Sequence, residues 1–269
     1  MILPPPGPAF TWTRTPAGYA LVCRPLKRVA RHLFTTRAWL LGSAEGENTE
    51  TTWRDVADAI ETPPNQLLRV HQVHGADIVV HRAAQPSASG AAADIIATDD
   101  ASTALAIQTA DCVPLLIADL RTGAVAAAHA GWRGTALGVA GAAVKTLVHE
   151  FGCRPSDLIA AMGPSIGPCC YQVGTDVRGR FAGEGFTDEE LSCWFTAQAD
   201  RLVLDLWIAT RDQLAAAGLP RDQIFVSEMC TASHRDAFCS YRRDGVQAGR
   251  MAAAIRKLEL RSENFEGQF

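Results

Sequence analysis

Short apolar runs alternate with polar punctuation along this chain, and they predict strands over 78–81, 103–108, 114–119, 124–129, 158–162 and 224–228. Two stretches carry the helical period instead. Over 135–151, Leu137, Ala140, Val144, Leu147, Val148 and Phe151 fall on one face, and Gly152 supplies a stop. The second, 205–217, opens on Asp205, a good cap, and ends before Gly218 and Pro220. Residues 103–129 read as consecutive strands joined by a tight turn. Strands and helices mix without strict alternation, which predicts a mixed α/β (α+β) domain rather than a doubly wound parallel sheet. The low-complexity stretch "AAQPSASGAAAD" (83–94) reads as a loop between two strands of one domain. The prolines of "MILPPPGPAF" predict an extended lead-in over 1–30. There is no internal repeat.

Composition narrows the function classes. At 269 residues and 48% apolar, the chain can build a sizeable core, read here as one domain over 1–269. A net charge of -4 gives no polyanion-binding signature, so neither nucleic acid nor a membrane surface is an expected partner. No apolar run is long enough to span a bilayer, and the N-terminus lacks a signal-peptide pattern. A cytoplasmic protein, monomeric or a small homo-oligomer, is expected. There the eight cysteines read as free thiols, core residues or metal ligands rather than disulfides.

The informative stretch is "TALAIQTADCVPLLIADLRTGAVAAAHAGWRG". "DLRTG" reads as a short hairpin turn with Gly123 at positive φ. Pairing outward sets Asp119 near Thr122 or Gly123 and Ile117 near Ala124 or Val125. It brings Cys112 beside His129, within a slip of a residue or two. A thiol next to an imidazole can bind zinc or can act as a nucleophile with its base. The bland alternative is a buried cysteine and a satisfied core histidine. A zinc site needs a third ligand, and "RVHQVHGADIVV" offers His71 and His74, which would point to opposite faces of a strand. Three protein ligands leave a fourth position for water or substrate, the pattern of a catalytic zinc.

Other candidates are less sharp. Cys230, His234 and Cys239 could hold a metal, but their spacing matches no standard finger. Cys169 and Cys170 are adjacent, so one thiol is expected to face a pocket and the other the core. Arg133 lies between glycines just before the expected long helix, where a guanidinium and free N–H groups suit a phosphate. Arg242 and Arg243 are further cations, at least one of them a surface residue. Asp111, next to Cys112, is a candidate general acid or base, or an ordinary turn-capping aspartate.

The motifs "QVHG", "TADCVPLLIAD", "AAAHAGWRG", "GPSIGPCCYQVG", "DLWIATRDQLAAAGL" and "SYRRDG...GRMAA" closely resemble the YfiH family, also called the laccase-domain or multicopper polyphenol oxidase family. The resemblance runs from about residue 70 to 255. It implies a mixed β-sandwich core flanked by helices, with His74, Cys112 and His129 as zinc ligands. It also implies phosphorolysis of adenosine, guanosine, inosine or methylthioadenosine, with adenosine deamination as an added activity. Copper-dependent phenol oxidation and peptidoglycan-precursor editing are the other activities attached to the family. The family's N-terminal "TRxGGVS...SLNL" is altered here to "FTTRAWLLGSAEGENTE", which keeps Thr36 and Arg37.

The leading expectation is a zinc phosphorylase taking a purine nucleoside and phosphate, with Arg133, Arg242 and Arg37 offering positive charge. A zinc-free hydrolase with Cys112 as nucleophile and His129 as base, cleaving an amide in a cell-wall precursor, is the main rival. A binding protein with a structural zinc is the non-enzymatic alternative. A copper oxidase is less well supported, because only seven histidines exist to serve several ions.

Overall fold

The computed structural model describes residues 2–42, 50–83, 89–198 and 201–258. Two six-stranded sheets carry the architecture. The first contains β1 (Phe10–Thr15), β2 (Gly18–Cys23), β3 (Ala30–Thr35), β4 (Leu67–Arg69), β7 (Ala104–Thr109) and β15 (Met251–Lys257), in the order β1-β2-β3-β15-β7-β4. The second contains β5 (Ile78–His81), β6 (Ile95–Thr98), β8 (Val113–Asp119), β9 (Val125–Ala130), β10 (Leu158–Met162) and β14 (Ile224–Val226), in the order β14-β10-β8-β9-β6-β5. A small third sheet joins β11 (Gln172–Val173), β13 (Arg201–Leu204) and β12 (Phe195–Gln198).

The central strands are buried on both faces, and their period of two sorts side chains between two cores. Leu116, Ala118, Val125 and Ala127 point at the first sheet, where they meet Phe34, Leu105, Ile107, Ala253 and Ile255. Their alternates, Leu115, Ile117, Ala126 and Ala128, pack under α3 (Val139–Phe151) and α6 (Leu206–Ala216). A third core lies under α1 (Glu50–Ala59), on the outer face of the first sheet. The expected mixed β-sandwich flanked by helices is therefore the fold.

Four expectations are corrected. The lead-in over 1–30 is largely a hairpin: β1 pairs antiparallel with β2 from Phe10↔Cys23 to Thr15↔Gly18. Residues 103–129 do not form one run of neighbouring strands, because β7 and β8 belong to different sheets and the chain crosses between them at Ala110–Cys112. The β8–β9 hairpin does form, but with Ile117 opposite Ala126 and Pro114 opposite His129. Its turn is longer than supposed: the Asp119 carboxylate accepts from the N–H of Arg121 (2.8 Å) and Thr122 (2.5 Å), and Gly123 takes φ 73°. Lastly, the helix over 135–151 is two helices. α2 (Trp132–Ala136) ends before Gly138, which takes φ 76°, and α3 begins at Val139. Leu137, in the break, is exposed rather than on the buried face. In the loop 83–94, residues 84–88 lie outside the described residues, as do 43–49 of the altered family segment.

One buried histidine gives the fold a pH response. His32 in β3 accepts the Cys23 N–H through Nε2 (2.8 Å), and its Nδ1 meets the Ala30 carbonyl (3.1 Å). Burial first, and then the charge of Lys27, lowers its pKa from 6.5 to about 4, against opposing hydrogen bonds. The folded state keeps the ring neutral, so the unfolded chain takes up the proton first as the solution is acidified. The stability is present above the unfolded value of 6.5 and is lost as pH falls toward about 4. The full shift corresponds to about 3 kcal/mol. Urea unfolding of wild type and His32→Gln should therefore diverge in pH dependence between about pH 7 and about pH 4.5. An identical pH slope in both proteins would dismiss the assignment.

Candidate active site and metal centre

Three chain segments from separate parts of the sandwich meet at one end of β9. His129 is the penultimate residue of β9. Cys112 ends the crossing from the first sheet to the second, immediately before β8. His74 comes from the irregular segment between β4 and β5, at φ 61°. The sulfur of Cys112 and a ring nitrogen of each histidine all lie within 4.8 Å of one another. The two imidazoles meet edge to face, with centroids 4.8 Å apart. His71 lines the same cavity, but it bridges to Ala92 and is not part of this donor group.

A residue that sequence reasoning passed over organises the group. Asp94, fully buried just before β6, hydrogen-bonds His129 Nδ1 through Oδ1 at 2.8 Å. The same carboxylate accepts from the N–H groups of Val73 (3.2 Å), His74 (3.1 Å) and Gly75 (2.6 Å). It therefore holds the left-handed turn at His74 and the ring of His129 at once. With Nδ1 occupied, His129 has Nε2 left for the cluster. Burial pushes the Asp94 carboxyl up, but the hydrogen bonds from His129 and the Gly75 and Val73 N–H groups outweigh it and hold the group below the usual carboxylate range.

The two glycines of "GWRG" make the approach possible. A Cβ at Gly131 would lie 2.8 Å from Cys112 Sγ and 3.2 Å from His74 Cδ2. A Cβ at Gly134 would lie 2.8 Å from the Gly75 carbonyl oxygen. Side chains there would push α2 away from the cluster.

Electrostatics favour an ionised pair. Burial raises the Cys112 thiol, yet the charge of His129 and hydrogen bonds from both histidines bring it down to about 6. Burial lowers His129, yet the Cys112 charge and the Asp94 hydrogen bond take it up to about 9. The donor set of one thiol and two imidazoles, with a carboxylate behind one ring, is one that could hold a metal ion.

The cluster opens into a cavity of about 740 Å³. Three arginines, Arg133, Arg242 and Arg250, line it together with Trp132, Tyr171 and Tyr241. The Arg133 guanidinium lies 4.3 Å over the Trp132 ring, in the first turn of short α2 rather than ahead of a long helix. Arg242 lies 5.0 Å over Tyr171, and its Nη1 donates to the Gln172 carbonyl at 2.7 Å. Arg250 was not anticipated. It donates to the Ala248 carbonyl at 2.8 Å and faces the cavity from just before β15.

The remaining candidates separate from this cavity or change role. Asp111 lines it at φ 90°, with both carboxylate oxygens engaged: Oδ1 by the Thr231 hydroxyl (2.5 Å), Oδ2 by the Arg242 N–H (2.6 Å). Arg37 is not among the lining residues; its Nη1 donates to the Arg235 carbonyl at 2.5 Å. Arg243 pairs with Asp244 at 2.7 Å. The trio Cys230, His234 and Cys239 does not form. His234 Nδ1 is tied to the Cys230 carbonyl at 2.9 Å, and Cys239 is buried in the inter-sheet core. Cys170 packs against the helix-covered core as expected, but Cys169 is exposed and outside the cavity lining; with Cys230 they form a second group of clustered donors.

A sandwich with a His/Cys donor cluster at the end of a central strand is the class of protein that this geometry defines. Residues 43–257 match the family model described as multi-copper polyphenol oxidoreductase laccase, and the chain belongs to that family. It is 39% identical over 213 residues to the purine nucleoside phosphorylase YlmD of Geobacillus stearothermophilus, covering 77% of each chain. Against the purine nucleoside phosphorylase YfiH of Escherichia coli (strain K12) it is 37% identical, covering 71% of this chain and 74% of that one. The crystal structure of YlmD from Geobacillus stearothermophilus superposes with a TM-score of 0.82 at 34% identity, covering 92% of this chain and 99% of that chain. Among the described residues, no helix is long and apolar enough to cross a membrane.

Proposed function

We propose that this chain is a zinc-dependent purine nucleoside phosphorylase, cleaving adenosine, inosine, guanosine or methylthioadenosine with inorganic phosphate in the cytoplasm. The observation that carries this reading is the meeting of three arginines, three aromatic rings and the His74–Cys112–His129 cluster in one cavity of about 740 Å³. The names borne by YlmD and YfiH support it.

His74, Cys112 and His129 would hold the zinc. When bound, zinc supplies a Lewis acid and a template for phosphate or a substrate hydroxyl. Arg133 and Arg242 offset the phosphate charge, and Arg250 adds to the same field. Trp132, Tyr171 and Tyr241 offer ring faces to a planar base. Asp111, with both oxygens engaged, holds the backbone of Arg242 against the cavity wall. Adenosine deamination is an additional activity of the same site in this reading.

The test is purified, zinc-loaded protein incubated with inosine, with and without phosphate, reading hypoxanthine release. Phosphate-dependent release is expected; no release would sink inosine phosphorolysis. Within this reading, Arg133→Met should raise the KM for phosphate about tenfold, the worth of one charge-assisted hydrogen bond. The KM for inosine should change little. Equal effects on both would remove Arg133 from the phosphate subsite.

A specific observation also favours the rival. Cys112, His129 and Asp94 stand in the order of nucleophile, base and orienting carboxylate, which suits a zinc-free hydrolase acting on an amide in a cell-wall precursor. Chelation separates the two: it abolishes a zinc phosphorylase and leaves a cysteine hydrolase active. A copper oxidase has less support, because among the described residues neither donor group gathers more than two histidines.

A further inference from the structure

The second donor group lies outside the proposed chemistry. The sulfurs of Cys169, Cys170 and Cys230 are all within 4.8 Å of one another, and Cys169 and Cys170 are 3.6 Å apart. We propose that these three thiols form a second metal site, selective for a soft, closed-shell ion held by three thiolates.

The spacing suits an ion at the centre. Metal–sulfur bonds of about 2.3 Å place three sulfurs about 4 Å apart around a shared ion. A disulfide would need a pair to close to about 2 Å. The site is also built before any ion arrives. Ser165 bridges to Cys230, and the Thr231 N–H donates to the Ser165 carbonyl at 3.0 Å. The Trp207 Nε1–H donates to the Ser165 hydroxyl at 2.7 Å, fixing the same loop to α6. Gly167 is needed at its position, since a Cβ there would lie 2.6 Å from the Trp207 ring and 3.3 Å from Cys230 Cβ.

Accessibility and charge point the same way. Cys169 is exposed, Cys170 half-buried and Cys230 buried, so an ion can enter from the Cys169 side. The Gly167 N–H donates to Cys230 Sγ at 3.3 Å. A bound cation would offset the mutual repulsion of the three thiolates that it gathers. On binding, the thiols release their protons to solvent and form three metal–sulfur bonds, with no change in oxidation state. Soft thiolates select ions such as Cu(I), Zn(II) or Cd(II) over hard Mg(II) and Ca(II).

The proposal stands apart from the proposed function, and its failure would leave that reading intact. The probe is Cd(II), added to the reduced, chelator-treated full chain. Cadmium per chain is measured, together with the ultraviolet thiolate-to-cadmium absorbance. Two ions per chain are expected, one at each cluster. Cys169→Ser with Cys170→Ser should bind one ion and lose the three-thiolate part of the absorbance. Cys112→Ala with His74→Ala should keep that part with one ion. Cys230 is buried, so Cys169→Ser alone, at an exposed position, guards against misfolding and should show the same loss. One ion per chain in wild type that is lost in Cys112→Ala with His74→Ala, or unchanged absorbance in the Cys169→Ser variants, overturns the site. So does a disulfide within the trio that, once reduced, is followed by no cadmium uptake.

Discussion

Cys112→Ala should abolish zinc retention and lower phosphate-dependent hypoxanthine release by about 10³-fold or more, a loss of at least about 4 kcal/mol of transition-state stabilisation. The size follows from what the thiol contributes. It is the one anionic donor of the cluster, and two imidazoles alone leave a site short of charge. Stability should fall much less than activity. Cys112 sits in the crossing between sheets and faces the cavity, and it belongs to none of the three hydrophobic cores. Metal content by atomic spectroscopy and single-turnover phosphorolysis check the claim together. A variant that keeps its zinc and its rate would remove Cys112 from the centre. A variant that loses zinc but keeps phosphate-dependent release would remove the metal from the reaction.

Local chemistry decides which parts of the fold and site are legible in the sequence. The β8–β9 hairpin was legible because its turn announces itself through Asp119, Thr122 and Gly123. Its register was not, because the Asp119 carboxylate stabilises a longer loop than the shortest one compatible with the glycine. The consequence is that Cys112 lies beyond the last ladder pair, Val113↔Ala130, and reaches the cluster only because Gly131 offers no Cβ. Strand β15 was invisible for a different reason. "MAAAIRK" has no alternation of its own, and its partners β3 and β7 lie more than a hundred residues earlier. The same holds for the thiol trio, where Cys230 joins Cys169 and Cys170 through the Ser165 bridge across two loops. Arg37 shows the converse. Its motif survives in the sequence, yet the guanidinium is committed to the Arg235 carbonyl, away from the cavity wall.

Asp94 was hidden because a carboxylate ahead of an apolar strand reads as ordinary punctuation, while all its partners are 19 to 35 residues away. That isolation in sequence makes Asp94→Asn the sharper second test. The carboxylate accepts four N–H groups: His129 Nδ1 and His74 N on Oδ1, Val73 N and Gly75 N on Oδ2. An amide of the same shape has only one oxygen. If its NH₂ faces the Val73 and Gly75 amides, the turn that delivers His74 is opened by donor–donor repulsion. If it faces His129, the ring must put its proton on Nε2, where it can no longer ligate a metal. Either orientation damages the cluster, so zinc affinity should fall about 10- to 100-fold. Because Asp94 is fully buried and satisfies backbone donors, Asp94→Ala should additionally cost about 2–4 kcal/mol of stability. Competition with a chromophoric chelator measures the affinity, and urea unfolding measures the stability. The two variants then separate the roles: Asp94→Asn should fold close to normally and bind zinc weakly, whereas a role confined to stabilising the turn would leave zinc affinity in Asp94→Asn at the wild-type value.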